Sequence, residues 1–329
     1  GDFYVFYSME PKGQPTVPRA AIRMQEGSIA EVRGVGPDQN LDQHIGKVVQ
    51  EKLAEFPDGK LYEKKNQDMK QLTTIENKIQ KGQELNRADL VFLYEIDSAI
   101  QGFGYQKDPR IQELRQQRDP KADAPLVFYC EPNQIAWGQS EINEDTKTYI
   151  GPLFPNIFQK LKHLEYIYTK FPEGRIVRNT IEIGGQTKEE LEAEMKKQNI
   201  QIGGSAQLML DSGDFITTKK SEPVNLVRLK VSDFDLQYST TENIYKKAEK
   251  LGLQLCPAEV GPHYRLQHVR QPPYEYLYIG MKQIISSHGA PSVFEVGSDG
   301  HKLFLESRDW ANPKNEWLPD VEFVFRLRK

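Results

Sequence analysis

The chain has 329 residues, 38% hydrophobic, 10% aromatic and 27% charged, which is material for two or more cores and argues against a long disordered chain. Its 43 Lys and Arg against 47 Asp and Glu leave a net charge of −4; without the positive excess that phosphate-backbone binding requires, nucleic acid is not an expected partner. The two cysteines, Cys130 and Cys256, make neither a disulfide framework nor a zinc site, and no apolar run reaches the ~18–20 residues of a membrane span. The expectation is a cytoplasmic protein with two reduced thiols, no membrane contact, and no metal or cofactor.

The start, Gly1 to Tyr7, lacks the basic region and cleavage site of a signal peptide and reads as a strand. Ala20–Met24 and Ser28–Arg33 flank the turn Gln25-Glu26-Gly27, so the first 35 residues predict a three-stranded meander. Leu41, Ile45, Val48, Val49, Leu53 and Phe56 recur at helical spacing until Pro57-Asp58-Gly59 stops the pattern. Leu72, Ile75 and Ile79 mark a second helix, closed by Gly82. Asn86 with Asp89 opens a third, carrying Leu90, Leu93, Tyr94, Ile96 and Ile100. Asp108-Pro109 starts a fourth that runs to Arg118, and Leu126 to Cys130 reads as a short strand. Residues 131–147 are polar and irregular, which places the main boundary between an N-terminal β-meander and helical domain (1–147) and a C-terminal α+β domain (148–329), with a sub-boundary near residue 221.

Beyond that boundary Pro155 opens a helix with Ile157, Phe158, Leu161, Leu164, Ile167 and Tyr168 in register. Ile176 to Ile183 alternates like a half-buried strand, and Thr187 with Glu190 forms a capping box. Asn225–Val231, a helix capped by Thr240 or Thr241 and closed by Gly252, and Leu253–Leu255 make a β-α-β unit. Tyr274–Ile284, Val293–Val296, Lys302–Glu306 and Glu322–Leu327 follow as a run of strands. The fold class is therefore α+β, its C-terminal sheet antiparallel or mixed with helices on one face.

Pro18–Met24, Glu31–Val35 and Pro37–Leu41, together with Leu90–Asp97 and Gly102–Tyr105, resemble segments of uncharacterised proteins from uncultured, candidate-phylum bacteria. Gly252–His263 and the closing Phe323–Lys329 resemble a bacterial C-terminal domain of similarly unassigned role. The resemblance covers about half of the chain. It implies a bacterial origin and a modular build, and it carries over no activity, ligand or catalytic residue.

Chemistry-bearing residues gather in one segment, Cys256 to Arg265, expected as a loop after a strand. Cys256 and His263 could make a thiolate nucleophile, with Glu259 and Arg265 as carboxylate and guanidinium. A packed cysteine beside a turn shaped by Pro257, Gly261 and Pro262 explains the same residues. Glycine turns at Gly34–Asp38, Ile183–Thr187 and Ile202–Ser205 match no phosphate loop, and the six histidines show no metal-ligand spacing. Glu306, Asp309 and Asp320 could pair as acid and base, although among 47 acidic residues such a pairing is expected by chance and solvation at the surface is the favoured reading. Tyr274, Tyr276 and Tyr278 alternate along one strand, and with Trp310 they suggest a face for a protein or peptide. The sequence thus favours a non-enzymatic binding or interaction module, with a hydrolase or transferase built on Cys256–Arg265 as the alternative.

Overall fold

Ile22 and Met24 are buried while Arg23 and Gln25 are exposed, the period-two pattern of a strand with one face on a core. In the computed structural model, which describes residues 2–9, 15–25, 28–34, 53–56, 59–103, 106–272, 274–285, 289–300, 302–311 and 315–328, β1 (Phe3–Met9), β2 (Pro15–Gln25) and β3 (Ser28–Gly34) form the expected antiparallel meander in the order β1-β2-β3. Its buried face packs with Leu53, Phe56 and Tyr62, and the Tyr62 hydroxyl accepts the Val32 N–H at 3.0 Å. The helix expected over residues 41–56 lies largely outside the described residues.

α1 (Gly59–Gln80) buries Leu72 and Ile75 and is followed by Gly82 at φ 65°, a left-handed conformation that glycine adopts without a Cβ penalty. α2 (Arg87–Leu93) opens on a reciprocal box in which Asn86 and Asp89 side chains each accept the other's backbone N–H at 3.0 Å. α3 (Pro109–Gln116) starts on Asp108. The strand expected at Leu126–Cys130 is instead the last turn of α4 (Pro120–Phe128). Its start signal, Asp119 accepting the Lys121 N–H with Pro120 at the first helical position, lies well before the apolar run that suggested a strand. Asp123 on this helix takes the Tyr94 hydroxyl at 2.6 Å and the Arg118 guanidinium at 2.6 and 2.7 Å.

The chain divides into two units, Gly1–Tyr129 and Cys130–Lys329, so the break comes before the polar segment and not at 147. β4 (Ile135–Ala136) pairs in parallel with β5 (Thr148–Ile150), and β5 with β6 (Tyr166–Tyr168), which ties residues 131–147 into the second unit. The helix expected from Pro155 to Tyr168 is only one turn, α5 (Ile157–Lys160). Ile167 and Tyr168 belong to β6, where their carbonyls accept the N–H groups of Ile176 and Gly151.

The remaining elements are β7 (Val177–Ile183), α6 (Lys188–Lys197), β8 (Gln201–Ile202), α7 (Gly204–Leu210), β9 (Glu222–Lys230), β10 (Ser239–Thr240), α8 (Thr241–Lys250), β11 (Leu253–Gln254), α9 (Val260–Gln267), β12 (Tyr276–Ile279), β13 (Ile284–Ile285), β14 (Pro291–Ser298), β15 (Leu303–Arg308), β16 (Glu316–Trp317) and β17 (Glu322–Leu327). Their main sheet runs β7-β9-β17-β12-β14-β15-β8, with β11 on β17 and β13 on β14. It is mixed, since β12 is parallel to β17 and β8 to β15 while the other pairs are antiparallel. The fold is α+β: a small antiparallel sheet at the N-terminus and a large mixed one at the C-terminus. No division falls near residue 221, because β7 and β9 pair across it along seven register positions.

The β-α-β unit is present with β17 between its two strands, as β9 and β11 both pair with β17. α8 covers the face bearing Phe323 and Phe325, which its Tyr245 meets edge-on at 6.5 and 5.9 Å. α9 lies on the other face, where an added Cβ at Gly261 would come within 2.7 Å of the Phe294 ring. The helices, expected on one face, therefore occupy both. Each shows only one apolar side in sequence, and the direction of the crossover decides which face receives it.

Candidate functional site

The segment Cys256–Arg265 is helical from Val260 onward. Pro262 falls in the first turn of α9, where no intrahelical N–H bond is required of it. Cys256 is 4% exposed, forms an isolated bridge with Met281 and points its thiol at the Val324 carbonyl, 3.5 Å away. Burial pushes that thiol up to about 12, far from the thiolate a nucleophile requires. His263 turns elsewhere: its Nε2 accepts the Gly184 N–H at 3.0 Å and lies 3.9 Å from Glu259. Burial holds this imidazole below the ordinary histidine range, against the pull of Glu259. Glu259 itself accepts both the N–H and the hydroxyl of Thr218 at 3.0 Å. Thiol and imidazole are thus committed to different backbone partners, and the expected nucleophile–base pair is not assembled.

Arg265 is fully buried and donates to the Gln271 side chain, to the Gly297 carbonyl at 3.0 Å and to the His268 carbonyl. Desolvation lowers its pKa to about 10. Gln271 in turn donates to the carbonyls of Glu275 and Val296 at 3.1 and 3.0 Å. Beside it, Arg228 bridges Glu275 at 2.5 Å and Glu322 at 2.8 Å, and His268 meets Glu275 at 3.0 Å. Apart from the Arg265 Nε, which is buried without a partner among the described residues, these polar groups pair with one another and brace the segment between α9 and β12.

The tyrosines lead to a different place. Tyr276 and Tyr278 share one face of β12, as the alternation predicts, but they differ in exposure: Tyr276 is 38% exposed and Tyr278 only 7%. Tyr274 precedes the strand at φ 62° and is 53% exposed. Trp310 lies in a short 3-10 turn, and its side chain is outside the described residues. Tyr278 packs on Trp317 at 4.8 Å and Phe323 at 5.9 Å, and Trp317 donates to the Thr241 hydroxyl at 2.8 Å. Of the four aromatic residues proposed, Tyr278 is therefore a packing residue.

Strand register shows what surrounds Tyr276. Tyr276, Gly297, Phe304 and Gln201 are successive cross-strand partners on β12, β14, β15 and β8. The next row on the same face is Tyr278, Glu295 and Glu306, and the row after that includes Val293 and Arg308. Gly297 is the keystone of the first row: an added Cβ would strike the Phe304 ring and come within 3.1 Å of Tyr276. Its absence lets the two rings approach to 6.1 Å across the intervening strand, making an aromatic shelf on which Tyr276 is exposed and Phe304 half-buried.

The shelf borders an uneven pair of carboxylates. Glu295 is buried, and its carboxylate takes Arg308 Nε at 2.6 Å, the arginine being 52% exposed. Burial raises the pKa of Glu295, with Arg308 opposing the shift and Glu306 adding to it. Tyr278 lies beside this pair, and burial, with Glu295 adding to the shift and Arg308 opposing it, pushes its pKa up to about 12. Glu306 accepts only the Ser307 N–H, at 3.0 Å, and has no salt bridge among the described residues. Gly203 leaves room for it, since an added Cβ there would land on the carboxylate.

Sequence reading missed Phe304, Glu295, Glu306 and Arg308 as one constellation. Alternation along 303–308 puts Phe304, Glu306 and Arg308 on one side, but their alignment with Gly297, Glu295 and the tyrosines depends on register across three strands. Among the described residues no cluster of His, Cys, Asp and Glu is arranged to hold a metal ion, and no helix is long and apolar enough to cross a membrane. No protein-family model, curated protein or solved structure matches the chain.

Proposed function

We propose that the chain is a non-enzymatic binding module of a bacterial protein, holding a protein or peptide segment on the open sheet face around Tyr276 and Phe304. The carrying observation is the exposed Tyr276 ring held beside Phe304 over a required glycine, on interior strands of a large sheet. Exposed aromatics on a rigid scaffold bind with little loss of side-chain entropy, and tyrosine offers both an apolar ring and a polar tip. The neighbouring carboxylates give such a surface polar specificity. The alternative, a hydrolase or transferase acting through Cys256 and His263, has no support in a buried thiol and an imidazole already engaged by Gly184.

The test is capture from bacterial lysate with the intact protein, with Tyr276→Ala and Phe304→Ala variants alongside. Retained proteins that both variants lose, while circular dichroism shows unchanged folding, are the expected result. Retention indifferent to both substitutions, or activity abolished by Cys256→Ala in a hydrolase screen, would count against this reading.

A further inference from the structure

The face has an unbalanced charge, and that imbalance names its occupant. Glu295 is neutralised by Arg308, whereas Glu306, its direct cross-strand neighbour, has no cation among the described residues. Glu306 is half-buried and lies two residues from Phe304 on the same face of β15. Same-face residues two apart are separated by ~7 Å, so the Phe304 ring neighbours any charged head group bonded to Glu306 and is near enough to take part in a cation–π contact, whose range is ~6 Å. Tyr276 extends the ring surface on the far side of Gly297.

Each alternative occupant fails on this chemistry. An apolar segment would strip water from Glu306 and leave its charge without a partner, which is strongly unfavourable for a desolvated ion. An anionic segment would face Glu306 directly. A cationic side chain satisfies the carboxylate and uses the electron-rich faces of the two rings at once.

Resting on the binding reading above, we propose that the partner is an extended basic peptide segment that sets a lysine or arginine against Glu306 and across the rings of Tyr276 and Phe304. Specificity for positive charge lies in Glu306, contact area lies in the rings, and Gly203 and Gly297 are small because the carboxylate and the shelf occupy the space a Cβ would need.

The experiment titrates the full chain into two fluorescein-labelled, acetylated peptides of alternating arginine and threonine, one of them with citrulline in place of every arginine, and reads anisotropy. Citrulline keeps the shape of arginine and removes its charge, so this comparison needs no variant protein. The arginine peptide is expected to bind, with a tenfold or greater weakening, of about the size of a charged hydrogen bond, on citrulline replacement or in Glu306→Gln. Tyr276→Leu, which keeps apolar bulk and loses the ring, is expected to weaken it by about threefold or more. Equal binding of both peptides with Glu306→Gln unchanged would overturn the charge recognition; if Tyr276→Ala still abolished that binding, the aromatic face would stand as a site without it. Equal binding that also ignores Tyr276→Ala would overturn both readings. Failure of the folded wild-type chain to bind the arginine peptide would overturn this inference, leaving the lysate capture to decide the broader one.

Discussion

Cys256 and His263 show how a pair of reactive residue types becomes structural. The thiol faces a carbonyl in the core, and the imidazole accepts a backbone N–H from a glycine turn. Burial raises the thiol's pKa to about 12, so Cys256 stays in the unreactive thiol form near neutral pH. Mass-spectrometric mapping after iodoacetamide treatment should find it unmodified in the native protein and labelled after denaturation; rapid native labelling would refute the burial argument. His263 carries a pH signature of known sign. Its folded pKa lies below the ordinary 6.5, so the unfolded chain binds the proton more readily. The stability it contributes is present in full above pH ~6.5 and is lost as pH falls through that value toward the lower folded pKa. Protonation would also remove the acceptor that holds Gly184. Urea denaturation at descending pH should show the wild type losing stability in this window and His263→Gln losing less; parallel curves for the two proteins would remove His263 from the account.

At the scale of elements, α9 guards an edge. β7 is the terminal strand of the main sheet, and an exposed edge invites pairing with other chains. The carboxamide of Gln267 accepts the Glu182 N–H at 3.0 Å and donates to the Glu182 carbonyl at 2.7 Å, as a neighbouring strand would. His263, one turn earlier on α9, takes Gly184. Gln267→Ala should cost ~1–3 kcal/mol for the two bonds, and amide exchange at Glu182 should rise more than at the central β17. If Glu182 keeps its protection in that variant, the edge is held by something other than Gln267. This guard was hidden from sequence reading, which took Pro257, Gly261 and Pro262 as a loop. The first turn of a helix tolerates proline for the same reason a turn does: neither needs its N–H.

For the whole molecule, residues 130–329 hold the main sheet, its helices on both faces and a continuous core from Ala136 to Phe325. Produced alone, this unit should show near-ultraviolet circular dichroism and a single cooperative thermal transition; a fragment lacking fixed aromatic signals would make the first unit a requirement for its packing. By itself the sequence determined the α+β class, the N-terminal meander, the caps at Asn86 and Thr187, a cap at Thr240 or Thr241 that the structure places at Thr240, and most strands from Asn225 onward, because capping and alternation are local, resting on residues within one or two turns of each other. It also placed Tyr276 and Tyr278 on one face, again a local consequence of the pleat. Only the tertiary structure decided that Tyr278 is packed under Trp317 while Tyr276 stays exposed, that Leu126 lies in the last turn of a helix, and that Glu306, beside Glu295, has no salt bridge among the described residues. Those outcomes depend on strand register and on which face each crossover covers, and both are settled by contacts between residues far apart in the chain.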